Sequence, residues 1–196
     1  ISANRDVAGR LAHEIATRLT SGPLAARALL VAARLDLNSG RAAEGHQRFI
    51  RARELAADTG DPALSAHAIG QHIEALLRYV SLESAVGELG KYRRAAQRAG
   101  SHASLASLHR VLAEAELKSG RGHRALLELD LAALHTNSLG DAVAKAHLDL
   151  ARSAAHGLLG DFPAALEHAT RGAALAKASG AKNLLRGLSL NVFHTQ

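Results

Sequence analysis

Residues 100–141 read GSHASLASLHRVLAEAELKSGRGHRALLELDLAALHTNSLGD, and this stretch decides the fold. Gly100, Gly120 and Gly140 divide it at twenty-residue intervals. Ser101 follows the first glycine and Asp141 the last. Ser and Asp side chains accept hydrogen bonds from the open N–H groups of a first helical turn, and Gly suits the left-handed residue that ends a helix. The residues between the glycines are dominated by Ala, Leu, Glu and Arg, all good helix formers. One helix is therefore predicted from Ser101 to Lys118 and a second from His123 to Ser138, a helical hairpin closed by Gly120.

The same punctuation runs outward in both directions. Gly60, Gly100, Gly140 and Gly180 recur every forty residues; Gly40, Gly120 and Gly160 form a second series offset by twenty, with Val80 in its vacant slot. Helices are predicted over 24–38, 42–58, 62–79, 82–98, 141–158 and 162–179, with Asp61 and Pro62 opening one as N-cap and first-turn proline. Four repeats follow, at 22–60, 61–100, 101–140 and 141–180, read as one solenoid over 1–196. Residues 1–21 are expected to form a helix of an incomplete repeat whose Val7, Leu11, Ile15 and Leu19 make the buried stripe. Residues 181–196, with Leu184, Leu185, Leu188 and Val192, are expected to begin a further repeat. An array open at both ends that starts at Ile1 and lacks Met is expected to belong to a longer protein, with self-association through the open ends as one option.

Alignment at the forty-residue period predicts which positions are buried. Gly45, Ala85, Ala125 and Ala165 form a column of small residues; Phe49, Leu89, Leu129 and Ala169 follow one turn later, then Ala52, Tyr92, Ala132 and Gly172. In the first helices Ala33, Ile73, Ala113 and Ser153 align, as do Leu37, Leu77, Leu117 and Gly157. Small residues at a helix crossing let backbones approach, and larger apolar ones fill the gaps. The vacant slot at Val80, with Gly87 and Gly90 close behind, marks the second repeat as the irregular one.

Gly160-Asp161-Phe162-Pro163-Ala164-Ala165-Leu166-Glu167 resembles the inter-helix turn of the tetratricopeptide repeat: Gly, an acidic residue, an aromatic, then small and apolar residues. Gly120 to Leu126 and Gly40 to Gly45 keep the glycine and lack the aromatic. The resemblance covers about residues 24–180, and the long period is similar to arrays in bacterial signalling regulators. It implies an all-α solenoid wound as a right-handed superhelix that binds a protein or peptide along its first helices.

Composition narrows the function classes. The chain has 196 residues, 47% hydrophobic, 21% charged and only 3% aromatic, which favours helix over strand. Zero cysteines exclude disulfides and thiolate metal sites. No apolar run is long enough to span a bilayer and no signal-peptide pattern opens the chain, so a cytoplasmic protein without membrane contact is expected. The net charge of +6 is spread along the length. Lys91, Arg93, Arg94 and Arg98 cluster on one helix, and Arg51, Lys91 and Arg171 share a column as a faint basic ridge. Nucleic-acid binding by the solenoid is the third-ranked reading, because aromatic platforms are lacking.

No motif carries catalysis or a cofactor. The twelve histidines lack metal-ligand spacing: His67 and His72 are five apart, His102 and His109 seven, His147 and His156 nine. Most of them are read as surface or boundary residues. Gly87 to Tyr92 lacks Walker spacing, and the Gly120–Ala125 turn follows no strand. Neither an enzyme nor a cofactor or metal site is expected within the segment, though it could be the regulatory arm of a kinase, cyclase or protease. The binding surface is expected on the inner face of the first helices, at Arg27, Arg34, Asn38, His67, Glu74, Arg78, Arg110, Glu114, Lys118 and His147. Its mixed charge, basic toward Arg27 and Arg34, would suit an acidic or amphipathic segment of a partner protein.

Overall fold

The computed structural model describes residues 2–181, and every regular element among them is an α-helix. These are α1 (Ser2–Arg18), α2 (Gly22–Asn38), α3 (Ala42–Asp58), α4 (Pro62–Tyr79), α5 (Leu82–Ala99), α6 (His102–Lys118), α7 (Gly122–Leu139), α8 (Ala142–Leu158) and α9 (Phe162–Ala178). The predicted hairpins are α2–α3, α4–α5, α6–α7 and α8–α9. The predicted segment 181–196 lies outside the described residues, except for Ala181. Two compact units are present, Ile1–Gly100 and Ser101–Gln196. Within each, successive helices pack on one another, and neighbouring first helices also touch, α2 with α4 and α6 with α8. The fold is an all-α stack of helical hairpins.

Caps and turns set the helix ends. Asp61 accepts from the N–H groups of Ala63 and Leu64, Ser101 from Ser104, and Asp141 from Val143 and Ala144. After α6 the chain turns through Gly120 at φ +72°, while Arg121 N–H donates to the Glu116 carbonyl at 2.9 Å. A left-handed glycine followed by this six-to-one bond is the Schellman closure. It repeats with Gly40, Gly160 and Gly180. Val80 takes another path, at φ −120° and ψ −88°, with its N–H donating to Leu76. A β-branched residue in the left-handed region would clash with its own backbone, so the second hairpin turns differently.

The small-residue column sits at the helix crossings: Gly45, Ala85, Ala125 and Ala165 are all buried. A methyl on Gly45 would lie 2.9 Å from the Ala33 carbonyl oxygen, so α2 and α3 cross more closely than an alanine permits. The column of Ala52, Tyr92, Ala132 and Gly172 holds one large member, Tyr92, which is fully buried. Gly70 of α4 makes room for it, since a methyl there would lie 2.6 Å from the Tyr92 hydroxyl. Volume has been traded across the α4–α5 crossing: the column of Gly70 carries Leu30 and Leu150 in other repeats, opposite Ala52 and Gly172. The irregularity of the second repeat thus lies in its turn and in this exchange. Both Gly87 and Gly90 leave α5 continuous.

The first helix corrects one expectation. Val7, Leu11 and Leu19 are exposed and Ile15 is half-buried. Ala12 is buried instead, and Ala16 packs against the core of the first unit. Gly9 comes so near Leu35 that a methyl would lie 3.2 Å from its Cδ1. Close approach to α2 through small residues, together with a polar anchor at His13, turns the larger side chains outward.

Candidate functional site

The first unit presents two surfaces of different character. One is the exposed face of α2 and α4, where Arg27, Arg34, Asn38, His67 and Arg78 are exposed and Glu74 is half-buried. The packing of α2 against α4 brings His67 under the electrostatic influence of Arg34, Arg27 and Glu74. Partial burial holds the His67 imidazole below its usual range, the two arginines push the same way, and Glu74 opposes them. Among the described residues Arg27, Arg34 and Arg78 have neither a hydrogen bond nor an ion pair, while the Asn38 side-chain oxygen accepts from the Tyr79 hydroxyl at 2.8 Å. In the second unit Lys118 and His147 are exposed, and Arg110 and Glu114 are half-buried. Glu74, Arg110, Glu114 and His147 are all engaged within the chain. The expected face therefore keeps unpaired guanidinium groups in the first unit alone.

The second surface was not anticipated. Although α2 touches α4, no packing joins α3 to α5 among the described residues, and a cleft of about 710 Å³ opens between them over the N-terminal half of α4. Its apolar lining comes from Ile50 and Ala57 of α3, Pro62 and Ile69 of α4, and Ala95 of α5. Arg53, Glu54, Glu88, Lys91 and Arg98 supply charge. Glu88 spans the gap, accepting from Arg53 at 2.8 Å and from Lys91 at 2.7 Å. The Lys91 hydrogen bond, aided by Arg53 and opposed by burial, holds the Glu88 carboxyl below the usual carboxylate range. Glu54 is matched by Arg51 at 2.9 Å. Arg98 has no hydrogen bond or ion pair among the described residues.

Behind Arg53 lies a buried polar core. His72 is only 3% exposed and stacks on Phe49 with ring centroids 5.5 Å apart. Arg53 donates to His72 Nδ1 at 2.9 Å, so the ring proton sits on Nε2 and points to His46 Nδ1 at 3.0 Å. Burial, then the charges of Arg53 and His46, lower the His72 pKa to about 4, against the opposing pull of Glu88. His72 is the exception to the expectation that most of the histidines are surface or boundary residues. Five others also form ring contacts: His135 lies against His102 and His109, and His156 stacks on His168.

Most of the remaining charge is used internally. Asp36, fully buried, is gripped by Arg41 at 2.6 Å, by Arg48 and by His13. Burial alone would raise its carboxyl, but the hydrogen bonds from Arg41 and His13 and the charge of Arg48 hold it below the usual range. Forty residues on, twice, the turn pair Asp36–Arg41 becomes Glu116–Arg121; in the last hairpin its polarity is reversed as His156–Asp161. The same reversal occurs between helices: His109 of α6 pairs with Glu128 of α7 at 2.7 Å, whereas Asp149 of α8 pairs with His168 of α9 at 2.9 Å. The members of the basic ridge are likewise paired, Arg51 with Glu54, Lys91 with Glu88 and Arg171 with Asp149.

Among the described residues no group of three His, Cys, Asp or Glu is arranged to hold a metal ion, and no helix is long and apolar enough to cross a membrane. No family model matches the sequence, and no curated protein matches it.

Proposed function

We propose that the chain is a tetratricopeptide-like binding scaffold that holds an acidic, partly apolar segment of a partner protein on the α2–α4 face, as the sensory or regulatory part of a larger bacterial regulator. The observation that carries this reading is the group of unpaired guanidiniums, Arg27, Arg34 and Arg78, on one exposed face of two touching helices. Val31 is exposed between Arg27 and Arg34 on α2, giving an apolar contact flanked by positive charge. A carboxylate-bearing segment would gain charge-assisted hydrogen bonds there without breaking any pair the fold needs.

Selection of a random peptide display library on the full chain tests the proposal. Peptides rich in Asp or Glu beside Leu or Val are expected, and their binding should weaken at least tenfold on Arg27→Glu with Arg34→Glu. Both positions are exposed, so helicity should be unchanged. Peptides without acidic enrichment, or acidic peptides that bind the double variant equally well, would overturn it.

A further inference from the structure

The repeat register makes the α3–α5 cleft intelligible. Moving eighty residues along the chain carries Ile50 to Asp130, Ile69 to Asp149 and Lys91 to Arg171. In the second unit those acids are occupied: Asp130 accepts from Arg152 at 2.6 Å, and Asp149 accepts from Arg171 through both oxygens, at 3.1 and 3.0 Å from its Nε. In the first unit the same two positions are isoleucines lining open space. Lys91, which corresponds to the arginine, has no carboxylate opposite it on α4 and leans on Glu88 of its own helix. Glu88 already serves Arg53, so one carboxylate answers two cations, and Arg98 stands unpaired at the same cleft.

We propose that this cleft is a binding site for a carboxylate carried on an apolar body: the body lies on Ile50, Ile69 and Ala95, and the charge is taken by Lys91 and Arg98. The ligand supplies from outside the carboxylate that Asp149 supplies from within in the second unit. The volume of about 710 Å³ falls in the range of small-molecule sites, and the combination of apolar walls with a few converging polar groups is what such sites share. The cleft residues are distinct from the α2–α4 face, so this site stands or falls independently of the peptide surface.

Octanoate is the direct probe, titrated calorimetrically into the full chain, with 1-octanol as the uncharged body. A chain end could present the same chemistry, so N-acetyl-trileucine with a free carboxylate, and its amide, form the second arm. Octanoate should bind at least tenfold more tightly than octanol. Lys91→Ala with Arg98→Ala should remove that tenfold advantage; both residues are exposed, so folding is not at stake. Ile69→Asp should abolish binding by providing an internal carboxylate for Lys91. If acetyl-trileucine binds with the same dependence and octanoate does not, the site takes a peptide end, which supports the same chemistry. Octanol binding as well as octanoate, binding indifferent to the two cations, or no binding by either acid would each overturn the proposal.

Discussion

Lowering the pH should loosen the first unit in large part through His72. In the folded chain its Nδ1 faces the Arg53 guanidinium, so protonation would set one N–H donor against another inside a nearly dry site. Its ordinary value of 6.5 is lowered to about 4 by burial and by Arg53. The unfolded chain therefore takes up this proton first. The contribution is complete above pH 6.5 and is lost as the pH falls through the interval down to about 4. At 1.36 kcal/mol for each pH unit, the loss between pH 7 and pH 5 is about 2 kcal/mol, and the limit at lower pH is about 3 kcal/mol. Other depressed histidines, His67 and His135, change stability in the same direction, so a comparison is needed. His72→Gln provides it: an amide can accept from Arg53 and donate to His46, and it does not titrate. Urea unfolding followed by circular dichroism from pH 7 to pH 4.5 should show a shallower pH dependence for His72→Gln than for the parent, by about 2 kcal/mol at pH 5. Parallel curves would refute the reasoning. So would an imidazole that titrates near 6.5 by nuclear magnetic resonance, since burial against a cation would then not govern this site.

Two further outcomes follow from the packing. Ala125→Leu adds three carbons at a fully buried crossing of α6 and α7 and should cost about 1–3 kcal/mol, read as a lower urea midpoint; an unchanged midpoint would show the register to be wrong. Exchanging polarity in the third hairpin, His109→Asp with Glu128→His, copies the Asp149–His168 pair and should restore most of what either single change loses. A double-mutant cycle near pH 7 should give a coupling of about 1 kcal/mol, and additive losses would mean that the pair does not act as a unit.

Nearly all of the helix pattern was legible, because the signals are local. A glycine at positive φ, an Asp or Ser cap and an early proline act within a few residues, and the predicted ends of α2 to α9 agree with the structure to within two residues. Most of the buried columns were legible for the same reason, since the forty-residue period lets each repeat vouch for the others, although Leu89, Leu117 and Gly157 are half-buried. Failures came where partners lie far apart in sequence. His72 looks like any helical histidine until Arg53 and His46 of another helix close on it. Val7 and Leu11 follow an apolar spacing, yet α1 approaches α2 through Gly9, Ala12 and Ala16, and apolar spacing carries no information about how near the neighbour comes. The α3–α5 cleft was missed because an isoleucine such as Ile50 or Ile69 carries the same local signal whether a helix or open space lies opposite it. One signal could have revealed it: Asp130 and Asp149 share the columns of Ile50 and Ile69, and a column that holds both Ile and Asp is not uniformly core.

The reversed His–carboxylate pairs also make a misdocked helix costly. Repeats of equal length can exchange helices, and a helix that docks in its neighbour's place finds the same pattern of small and large residues. If α9 closed on α6 in place of α7, His168 would meet His109; if α8 took the place of α6 beside α7, Asp149 would meet Glu128. Both errors set ring against ring or carboxylate against carboxylate in half-buried positions, where an unsatisfied polar group is expensive. Polarity thus works as an address written on otherwise similar parts, one that distinguishes the third hairpin from the fourth.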